Sequence, residues 1–576
     1  MALRENLQLT TNDLQHSKLL PFLCLLGILA IAAFFRLWQL AQVPPGLYPD
    51  VAINGNDALE TLKTGNFKLF YPENNGREGL FIWLIAASFS IFGVSIWSIK
   101  IVAAIIGILT VLGLYLLAKE LFEIVNSQWL KVNSQSIALL SSFFLATSFW
   151  HVNFSRIGFR AILIPFILVF AFYFLVKGLK NKTALSLIIS GIFFGLGFYT
   201  YISYRFIVLL LPLILIFWFF IYQKENLQKI FIINTLFLLV TIFIIGLPIG
   251  LYFLQNPQDF IGRAAQTSIF ATENPIKEFG KSLILHLGMF NFYGDPNWRH
   301  NFSGSPMLPW PIGILFLIGI FISAREILRK SNYQNKNFQP LSAFYFLFST
   351  FFIMLLPGIL TYEGIPHSLR TIGVIPSVFI FLAIGGAALW AKIKPGSRFL
   401  TGFSFRKPNV AKRVKNSLLG KEKIKKVWLL NLILAIFFGY LITAQYQKYF
   451  ISWAKNPNVN DAFSADLVKI GEYLNSLRPK TQKYVIVNLS GAPVPRPNGI
   501  PMPAQTIMFI ENMKYGSPQS TYLLPENLSQ IKIEREVVIL PMNPDNGLFE
   551  KLSQMFPEGE KKEEQGIWIY EINPKF

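Results

Sequence analysis

The sequence predicts a polytopic all-α membrane protein with a small α/β domain at its C-terminal end. Its 576 residues are 53% hydrophobic and only 14% charged, a composition too apolar for a soluble globular protein. The apolar residues form repeated runs near the length of about 20 residues that spans a bilayer. After residue 445 the apolar runs become short and resemble strands.

Charge and length predict how the helices cross the membrane. The run at 79–93 is short and ends at a glycine, so we expect a peripheral helix there. If the N-terminus lies inside and 79–93 does not cross, the basic segments 177–182, 324–336 and 392–427 all face the cytoplasm, as the positive-inside rule requires. About eleven transmembrane helices are then expected, at 19–40, 99–118, 136–152, 161–178, 183–201, 206–222, 229–254, 309–324, 341–360, 371–391 and 428–445.

Two features of the composition exclude other classes. From Lys392 to Lys426 there are twelve Lys or Arg residues and one acid. We interpret this stretch as a cytoplasmic loop, not as a nucleic-acid site, and expect no nucleic-acid partner. The single cysteine, Cys24, excludes an intramolecular disulfide and a cysteine metal site.

The chain divides into two predicted domains. Residues 1–445 form the transmembrane domain, and residues 446–576 form a soluble domain with short strand-like runs at 484–489, 536–541 and 566–572. The helix count places this second domain outside the cytoplasm. The protein is therefore expected in the cytoplasmic membrane of a bacterial cell envelope, with membrane lipids around it.

The first outer loop, 41–78, holds the candidate catalytic residue. Asp50 lies in PPGLYPD and precedes a stretch with helical spacing, which places Asp57 on nearly the same helix face. A carboxylate at a membrane surface needs water, a partner or a function. Asp50 is predicted to be a general base that accepts a hydroxyl proton, and a helix N-cap is the alternative. Arg77 and Glu78 close the loop where the chain enters the membrane.

Further candidates lie in the other outer loops and are predicted to bind substrate. An arginine side chain can donate two parallel hydrogen bonds to phosphate oxygens. The predicted helix that begins after HSLR (367–370) has an N-terminus that favours a bound anion. Snorkelling arginines and an interfacial aromatic belt are the alternatives. With Asp57, Arg77 and Glu78, the predicted substrate-binding residues are His151, Arg156, Arg160, Tyr201, Arg205, His367 and Arg370.

No cofactor is predicted. GDPNWRHNFSG (294–304) holds Asp295, Arg299 and His300 in a loop long enough to cover a site. Asp295 and His300 are candidates for a divalent metal, but no established ligand spacing supports one. Because the sequence also has no phosphate-binding or nucleotide-binding glycine motif, a donor carried in the membrane is favoured over a nucleotide sugar.

With these motifs the chain resembles the polytopic glycosyltransferases of the GT-C superfamily, and within it the dolichyl-phosphate-mannose–protein mannosyltransferase-like group, glycosyltransferase family 39. The likeness covers roughly residues 20–390. The motifs that carry it, in order, are Asp50 with the helix ending at Thr64–Gly65, GREGLF (76–81), SRIGFR (155–160), YTYISYR (199–205), FIGRAAQTSIF (260–270) and HSLRTIGVIP (367–376).

The resemblance implies an inverting glycosyltransferase that moves a hexosyl or pentosyl group from a polyprenyl-phosphate donor to a hydroxyl acceptor on the outer face of the membrane. Asp50 is then the catalytic base, although Val51 stands where many relatives have Glu. SRIGFR replaces the second acidic motif of metal-dependent relatives, which argues against an essential metal. The acceptor class, whether protein, lipid or glycan, stays open.

Two alternatives from other classes remain at this point. A transporter or flippase of polyprenyl-linked glycans would also be polytopic, but its charges are expected near the membrane midplane. Here the charges avoid the middle of the apolar runs. A non-catalytic assembly protein, whose outer domain binds a partner, is the other alternative.

Overall fold

The computed structural model describes residues 2–123, 133–328, 339–393, 412–494 and 499–573. The helices are α1 (Ala2–Leu37), α2 (Pro49–Thr64), α3 (Leu80–Phe92), α4 (Ile96–Glu123), α5 (Ser134–Thr147), α6 (Phe149–Phe154), α7 (Leu163–Asn181), α8 (Ala184–Gly197), α9 (Ile207–Lys224), α10 (Gln228–Gln255), α11 (Pro257–Thr267), α12 (Pro275–Gly288), α13 (Trp310–Leu328), α14 (Gln339–Ile359), α15 (Ile375–Ile393), α16 (Lys412–Tyr446), α17 (Pro457–Ala462), α18 (Ala465–Ser476), α19 (Ala504–Tyr515) and α20 (Asn546–Met555). The strands are β1 (Phe70–Tyr71), β2 (Arg77–Glu78), β3 (Gln482–Ile486), β4 (Pro493–Val494), β5 (Ile500–Pro501), β6 (Thr521–Leu523), β7 (Val537–Pro541), β8 (Gly559–Glu564) and β9 (Ile567–Ile572).

Long apolar helices confirm the predicted membrane fold. In the described ranges, nine are long and apolar enough to cross a membrane, and each coincides with a predicted run. The other two predicted spans, 136–152 and 183–201, contain α5 and α8, with 14 residues each. At about 1.5 Å per residue they reach about 21 Å, which is shorter than the hydrocarbon core of about 30 Å.

The short run at 79–93 forms α3, a helix of 13 residues. Its Phe81, Ile82 and Ile85 side chains are fully buried, and the helix packs against α2 and α4. It is one residue shorter than α5 and α8, so its length does not distinguish it from these two predicted spans, and its peripheral placement stays a prediction. Residues 329–338 and 394–411, which hold much of the predicted cytoplasmic basic loops, lie outside the described residues.

Close glycine contacts hold α15 against α13. A Cβ atom added to Gly319 of α13 would collide with the carbonyl oxygen of Phe381, and one added to Gly385 of α15 would collide with that of Leu315. Small residues at such a crossing let two helix backbones approach closely, which strengthens packing inside a membrane. The backbones of α13 and α15 are therefore in direct contact at this crossing.

Arg156, predicted to bind a substrate phosphate, instead holds the end of α1. Its side chain is fully buried, and its guanidinium lies over the ring of Phe450 at 5.0 Å. At 2.7–3.1 Å it donates hydrogen bonds to carbonyl oxygens at the end of α1 and just beyond it, those of Phe35, Trp38, Gln39 and Val43. The prediction is therefore corrected: buried carbonyl groups occupy this guanidinium.

His151, also predicted to bind substrate, is likewise part of the fold. It is fully buried, and its Nδ1 atom lies 2.7 Å from Nη2 of Arg36. Arg36 in turn donates to the carbonyl oxygen of Ala146 at 3.0 Å, near the end of α5. Cations at the C-terminal ends of helices are favoured by the helix dipole and by free carbonyl groups. This pair joins α1 to α5 and α6.

The C-terminal region contains a five-stranded sheet with the order β6-β3-β7-β9-β8. Strand β3 pairs in parallel with β6 and β7, whereas β9 pairs antiparallel with β7 and β8. Strands β3, β7 and β9 occupy the three runs predicted from the sequence. Side chains of β3 alternate between two apolar cores, with Val485 facing α18 and α19 and Ile486 facing α20. This is the predicted α/β arrangement, with helices on both faces of the sheet.

The α/β region docks on α2 of the first loop. Asn56 donates to the carbonyl oxygen of Gln505 at 3.1 Å and accepts from Asn512 at 2.8 Å. The ring of Phe509 stacks on Phe89 of α3, with 6.1 Å between centroids. A Cβ atom at Gly55 would lie only 2.6 Å from the Phe509 ring. The sheet region and the first loop therefore lie at the same end of the helical bundle.

Replacing Arg156 by Ala tests its structural role. We expect a marked loss of stability, because four carbonyl groups lose their donor and an unpaired buried polar group costs about 1–3 kcal/mol. Arg156→Lys should be nearly as damaging, because one ammonium group cannot reproduce the planar donor fork. The measurement is thermal unfolding in detergent, beside the exposed Arg325→Gln variant as control. An unchanged melting temperature for Arg156→Ala would contradict this role.

Replacing Gly55 by Val tests the docking of the α/β region. We expect faster amide hydrogen exchange in α19, because the new side chain collides with Phe509 and opens the contact. Gly280→Val is the matched control, since a Cβ atom at this helical glycine meets nothing within 4 Å. Equal exchange in α19 for both variants and the wild type would show that the Gly55–Phe509 contact does not hold the domain.

Candidate functional site

The predicted topology puts five polar segments on the outer face, namely 41–78, 151–160, 200–205, 255–308 and 361–370. Residues from all five line one cavity of about 490 Å³. Residues of the first loop form one wall, and the loop before α15 forms another. Of the predicted site residues, those that line the cavity are Asp50, Glu78, Arg160, Tyr201, Arg205, His367 and Arg370. Those that do not line it are Asp57, Arg77, His151 and Arg156.

Asp50 lies at the start of α2 with its carboxylate facing the cavity. Helix α2 begins at Pro49, and Tyr48 is its N-cap residue, without a side-chain cap. The alternative that Asp50 is the N-cap is therefore wrong, since Asp50 lies inside the first turn. Its Oδ1 atom accepts a hydrogen bond of 3.0 Å from the side-chain amide of Asn74. The half-buried carboxylate is thus held in place beside an open space.

A left-handed turn between β1 and β2 presents Asn74 to Asp50. Asn74, Asn75 and Gly76 have φ angles of 55°, 63° and 87°, a conformation that Asn and Gly adopt more readily than other residues. At Gly76 a side chain would also collide with the ring of Phe70. The Asn-Asn-Gly sequence is a recognised turn signal, but Asn74 was not among the predicted site residues.

Arg77 supports this turn from behind and is fully buried. Its Nη1 atom lies 2.5 Å from Oδ2 of Asp57 and donates to Oδ1 of Asn54 at 2.9 Å, while its Nε atom donates to the carbonyl oxygen of Glu73 at 3.2 Å. Burial raises the pKa of Asp57, and the charge of Arg77 opposes that change. The prediction that Asp57 and Arg77 bind substrate is corrected, because they pair with each other behind the cavity wall.

Glu78 joins two cavity arginines. Its Oε2 atom lies 3.2 Å from Nε of Arg160, and its Oε1 atom lies 3.7 Å from Nη2 of Arg205. Arg160 also donates to the carbonyl oxygen of Gly76 at 3.0 Å and lies over the ring of Tyr201 at 5.1 Å. One carboxylate beside two guanidinium groups leaves excess positive charge at this wall, which suits an anionic ligand.

Arg370 brings positive charge to the opposite wall. Its Nη1 atom donates to Oγ1 of Thr361 at 2.9 Å and to the carbonyl oxygen of Glu363 at 2.8 Å. Burial lowers the pKa of Arg370, whose ordinary value is so high that the group stays charged at neutral pH. Two further arginines line the cavity: Arg263, and Arg299, which lies 4.0 Å from the centre of the Tyr48 ring. The sequence analysis did not predict a ligand contact for either one.

Asp295, His300 and His367 form a polar cluster at the cavity wall. Oδ2 of Asp295 lies 3.1 Å from Nδ1 of His300 and 4.0 Å from Nδ1 of His367. The nearby histidines and the backbone amide of Asn297 hold the pKa of the Asp295 carboxyl well below its usual range, although burial opposes them. Burial is the main cause that lowers the pKa of His367. This cluster joins the loop after α12 to the loop after α14.

Comparisons with known proteins agree with this architecture. The family model described as dolichyl-phosphate-mannose-protein mannosyltransferase matches residues 80–249. No curated protein sequence gives a significant match.

Solved structures provide the fold comparison. The structure of ArnT from Cupriavidus metallidurans bound to undecaprenyl phosphate is 12% identical, with 97% of this chain and 99% of that chain covered and a TM-score of 0.54. The apo state of the same protein gives 10% identity, 96% and 99% coverage and a TM-score of 0.52. At such low identity the likeness shows the fold. The family model and this fold together confirm the predicted resemblance: the protein is similar to the GT-C membrane glycosyltransferases.

Proposed function

We propose that the protein is an inverting glycosyltransferase that transfers one sugar from a polyprenyl-phosphate donor to a hydroxyl acceptor at this cavity. The observation that carries the proposal is the meeting of a held carboxylate, Asp50, with several arginines in one cavity. A carboxylate is suited to accept a hydroxyl proton, and guanidinium groups are suited to hold a phosphate. The matched family model and the ArnT fold, in which undecaprenyl phosphate has been seen bound, support the same donor class.

In the proposed reaction Asp50 accepts the proton of the acceptor hydroxyl as its oxygen attacks the anomeric carbon. The bond from that carbon to the phosphate oxygen breaks on the opposite face, so the configuration inverts. The bonding electrons remain on the leaving polyprenyl phosphate, whose added negative charge faces Arg160, Arg205 and Arg370. Fixed positive charge placed where negative charge develops lowers the barrier.

We further propose that the cavity and the α/β region lie on the outer face of the membrane. The positive-inside rule supports this side for the first loop, and α19 contacts α2 of that loop through Asn56. A domain docked there is suitably placed to receive an acceptor that lies outside the cytoplasm. On this proposal residues 1–445 catalyse the transfer of the sugar. Residues 446–576 lie beside the part of the cavity that receives the acceptor.

The assay that tests the proposal uses the full-length protein in nanodiscs with a panel of radiolabelled polyprenyl-phosphate hexoses and pentoses. Membrane glycolipid, peptide and glycan fractions serve as acceptors. The proposal predicts transfer, or slow hydrolysis, of one donor class. If no donor is consumed while labelled lipid crosses the bilayer of reconstituted vesicles, a transporter is indicated.

Asp50→Asn is expected to lower the turnover number by about 10²–10⁴, the usual contribution of a general base. The amide has the same shape and still accepts the hydrogen bond from Asn74, so folding should be preserved. Asn74→Ala removes a hydrogen bond to a charged group, worth about 1.5–3 kcal/mol, and should lower turnover by about tenfold or more.

The control for Asn74→Ala is Asn75→Ala, which removes a neighbouring asparagine of the same left-handed turn. The backbone strain that Ala introduces is then similar in the two variants. Equal losses in both would show that the turn conformation, and not the contact with Asp50, determines the rate. Turnover by Asp50→Asn near the wild-type value would refute the assignment of the base.

Arg370→Gln is expected to raise the KM for the donor about tenfold or more, because a charge-assisted hydrogen bond to phosphate is worth about 1.5–3 kcal/mol. The KM for the acceptor should stay close to the wild-type value. Arg325→Gln, an exposed arginine on α13 outside the cavity lining, is the control and should change neither constant. If Arg370→Gln raised the KM for the acceptor more than the KM for the donor, Arg370 would not be a contact of the donor phosphate.

A further inference from the structure

The polar cluster at the cavity wall combines three side chains that bind metal ions. Asp295 and His300 come from the loop between α12 and α13, and His367 comes from the loop between α14 and α15. One donor atom from each of the three lies within 4.8 Å of the other two. The two histidines also line the cavity, so a small ion has access to them from its interior.

His367 carries an atom that no contact in the described part of the chain satisfies. Its Nδ1 atom is buried and has no hydrogen-bond partner there, although it lies 4.0 Å from Oδ2 of Asp295. A buried polar atom without a partner costs about 1–3 kcal/mol. A purely hydrogen-bonded cluster accounts for the 3.1 Å contact of His300 with Asp295. It does not account for the unpaired nitrogen of His367.

Neighbouring groups already orient the donor atoms. The backbone N–H and the hydroxyl of Ser368 each donate to Oδ2 of Asp295 at 2.8 Å, and the backbone N–H of Asn297 donates to Oδ1 at 2.8 Å. The backbone N–H of His367 donates to Nε2 of His286 at 3.1 Å. Metal sites commonly have such a second layer of hydrogen bonds, which fixes the ligands before the ion binds.

We propose that Asp295, His300 and His367 bind one divalent cation, with zinc as the best-suited ion. Two imidazole nitrogens and one carboxylate oxygen form a donor set typical of zinc. Bonds of about 2.0–2.1 Å in a tetrahedral site place the ligand atoms about 3.4 Å apart. The observed separations of the two histidines from Asp295, 3.1 and 4.0 Å, lie on either side of this value, and all three ligand atoms lie within 4.8 Å of one another. Binding replaces the His300–Asp295 hydrogen bond by two bonds to the ion.

Three protein ligands leave one coordination position for water or for an anionic oxygen. Because His300 and His367 line the cavity, water or an anion inside the cavity can reach that position. The inference goes beyond the proposed transfer reaction. It adds His367 to Asp295 and His300, which the sequence offered as metal candidates without support from their spacing. Its test needs no sugar donor, so its failure and that of the transfer proposal can be distinguished.

The experiment measures zinc bound to the full-length protein, purified in detergent with an affinity tag that contains no histidine. The protein is treated with chelator, desalted, equilibrated with zinc chloride and desalted again before its zinc content is determined by mass spectrometry. We expect about one zinc ion per chain in the wild type and near-complete loss in His367→Ala and His300→Ala. Zinc should also raise the melting temperature of the wild type but not that of His367→Ala or His300→Ala, because binding to the folded state stabilises it.

Asp259→Asn is the matched control, since Asp259 lines the same cavity without belonging to the cluster. It should bind zinc as the wild type does. Substituting the His367 side chain removes no hydrogen bond from its unpaired Nδ1 atom, so this variant is expected to fold. A wild-type zinc content no higher than that of His367→Ala would overturn the site. An equal loss of bound zinc in Asp259→Asn would also overturn the site, because it would indicate that zinc binds loosely to the acidic residues of the cavity.

Discussion

The geometry of the first loop depends on the buried guanidinium of Arg77. This side chain links α2, through Asp57 and Asn54, to the carbonyl oxygen of Glu73 at the start of the left-handed turn. The turn then places Asn74 against Asp50. Removing one member of a buried ion pair leaves an uncompensated charge, which costs much more than loss of a surface pair. The position of the Asp50 carboxylate therefore depends on the Arg77–Asp57 ion pair, which does not line the cavity.

The same separation between structural and cavity-facing charges recurs in the rest of the molecule. Arg36 and Arg156 are fully buried and donate to backbone carbonyl groups at helix ends. Arg160, Arg205 and Arg370 instead line the cavity. Each also donates to one carbonyl oxygen, and each pairs with a carboxylate, that of Glu78 or of Glu363. Buried cations satisfied by carbonyl groups stabilise the bundle, whereas cations beside open space can exchange a partner for a phosphate. This distinction follows from the contacts and not from the type of residue.

Sequence patterns predicted the main elements, and seven of the eleven predicted site residues line the cavity. Apolar runs gave the membrane helices, because the bilayer imposes one length on every span. Short continuous apolar runs predicted β3, β7 and β9, because a sheet covered on both faces buries the side chains on both of its sides. The positions of the basic loops and the number of membrane crossings assigned the five outer segments to one face. These segments do meet at one cavity.

The sequence could not predict which way each charged side chain points. SRIGFR contains Arg156, which turns into the bundle, and Arg160, which turns to the cavity; both stand at a helix junction with similar neighbours. Nor could spacing reveal the cluster of Asp295, His300 and His367, because two separate loops must fold together to form it. Asn74 acts through one hydrogen bond, which only the folded turn defines.

The central claim is that this cavity holds the phosphate of a polyprenyl donor beside Asp50. The most direct measurement is an electron cryo-microscopy structure of the full-length protein in nanodiscs with undecaprenyl phosphate. The account predicts phosphate density inside the cavity, within hydrogen-bond distance of at least one of Arg160, Arg205 and Arg370, with the lipid tail leaving between membrane helices. Phosphate density at the other end of the bundle, or at the membrane midplane far from Asp50, would contradict it.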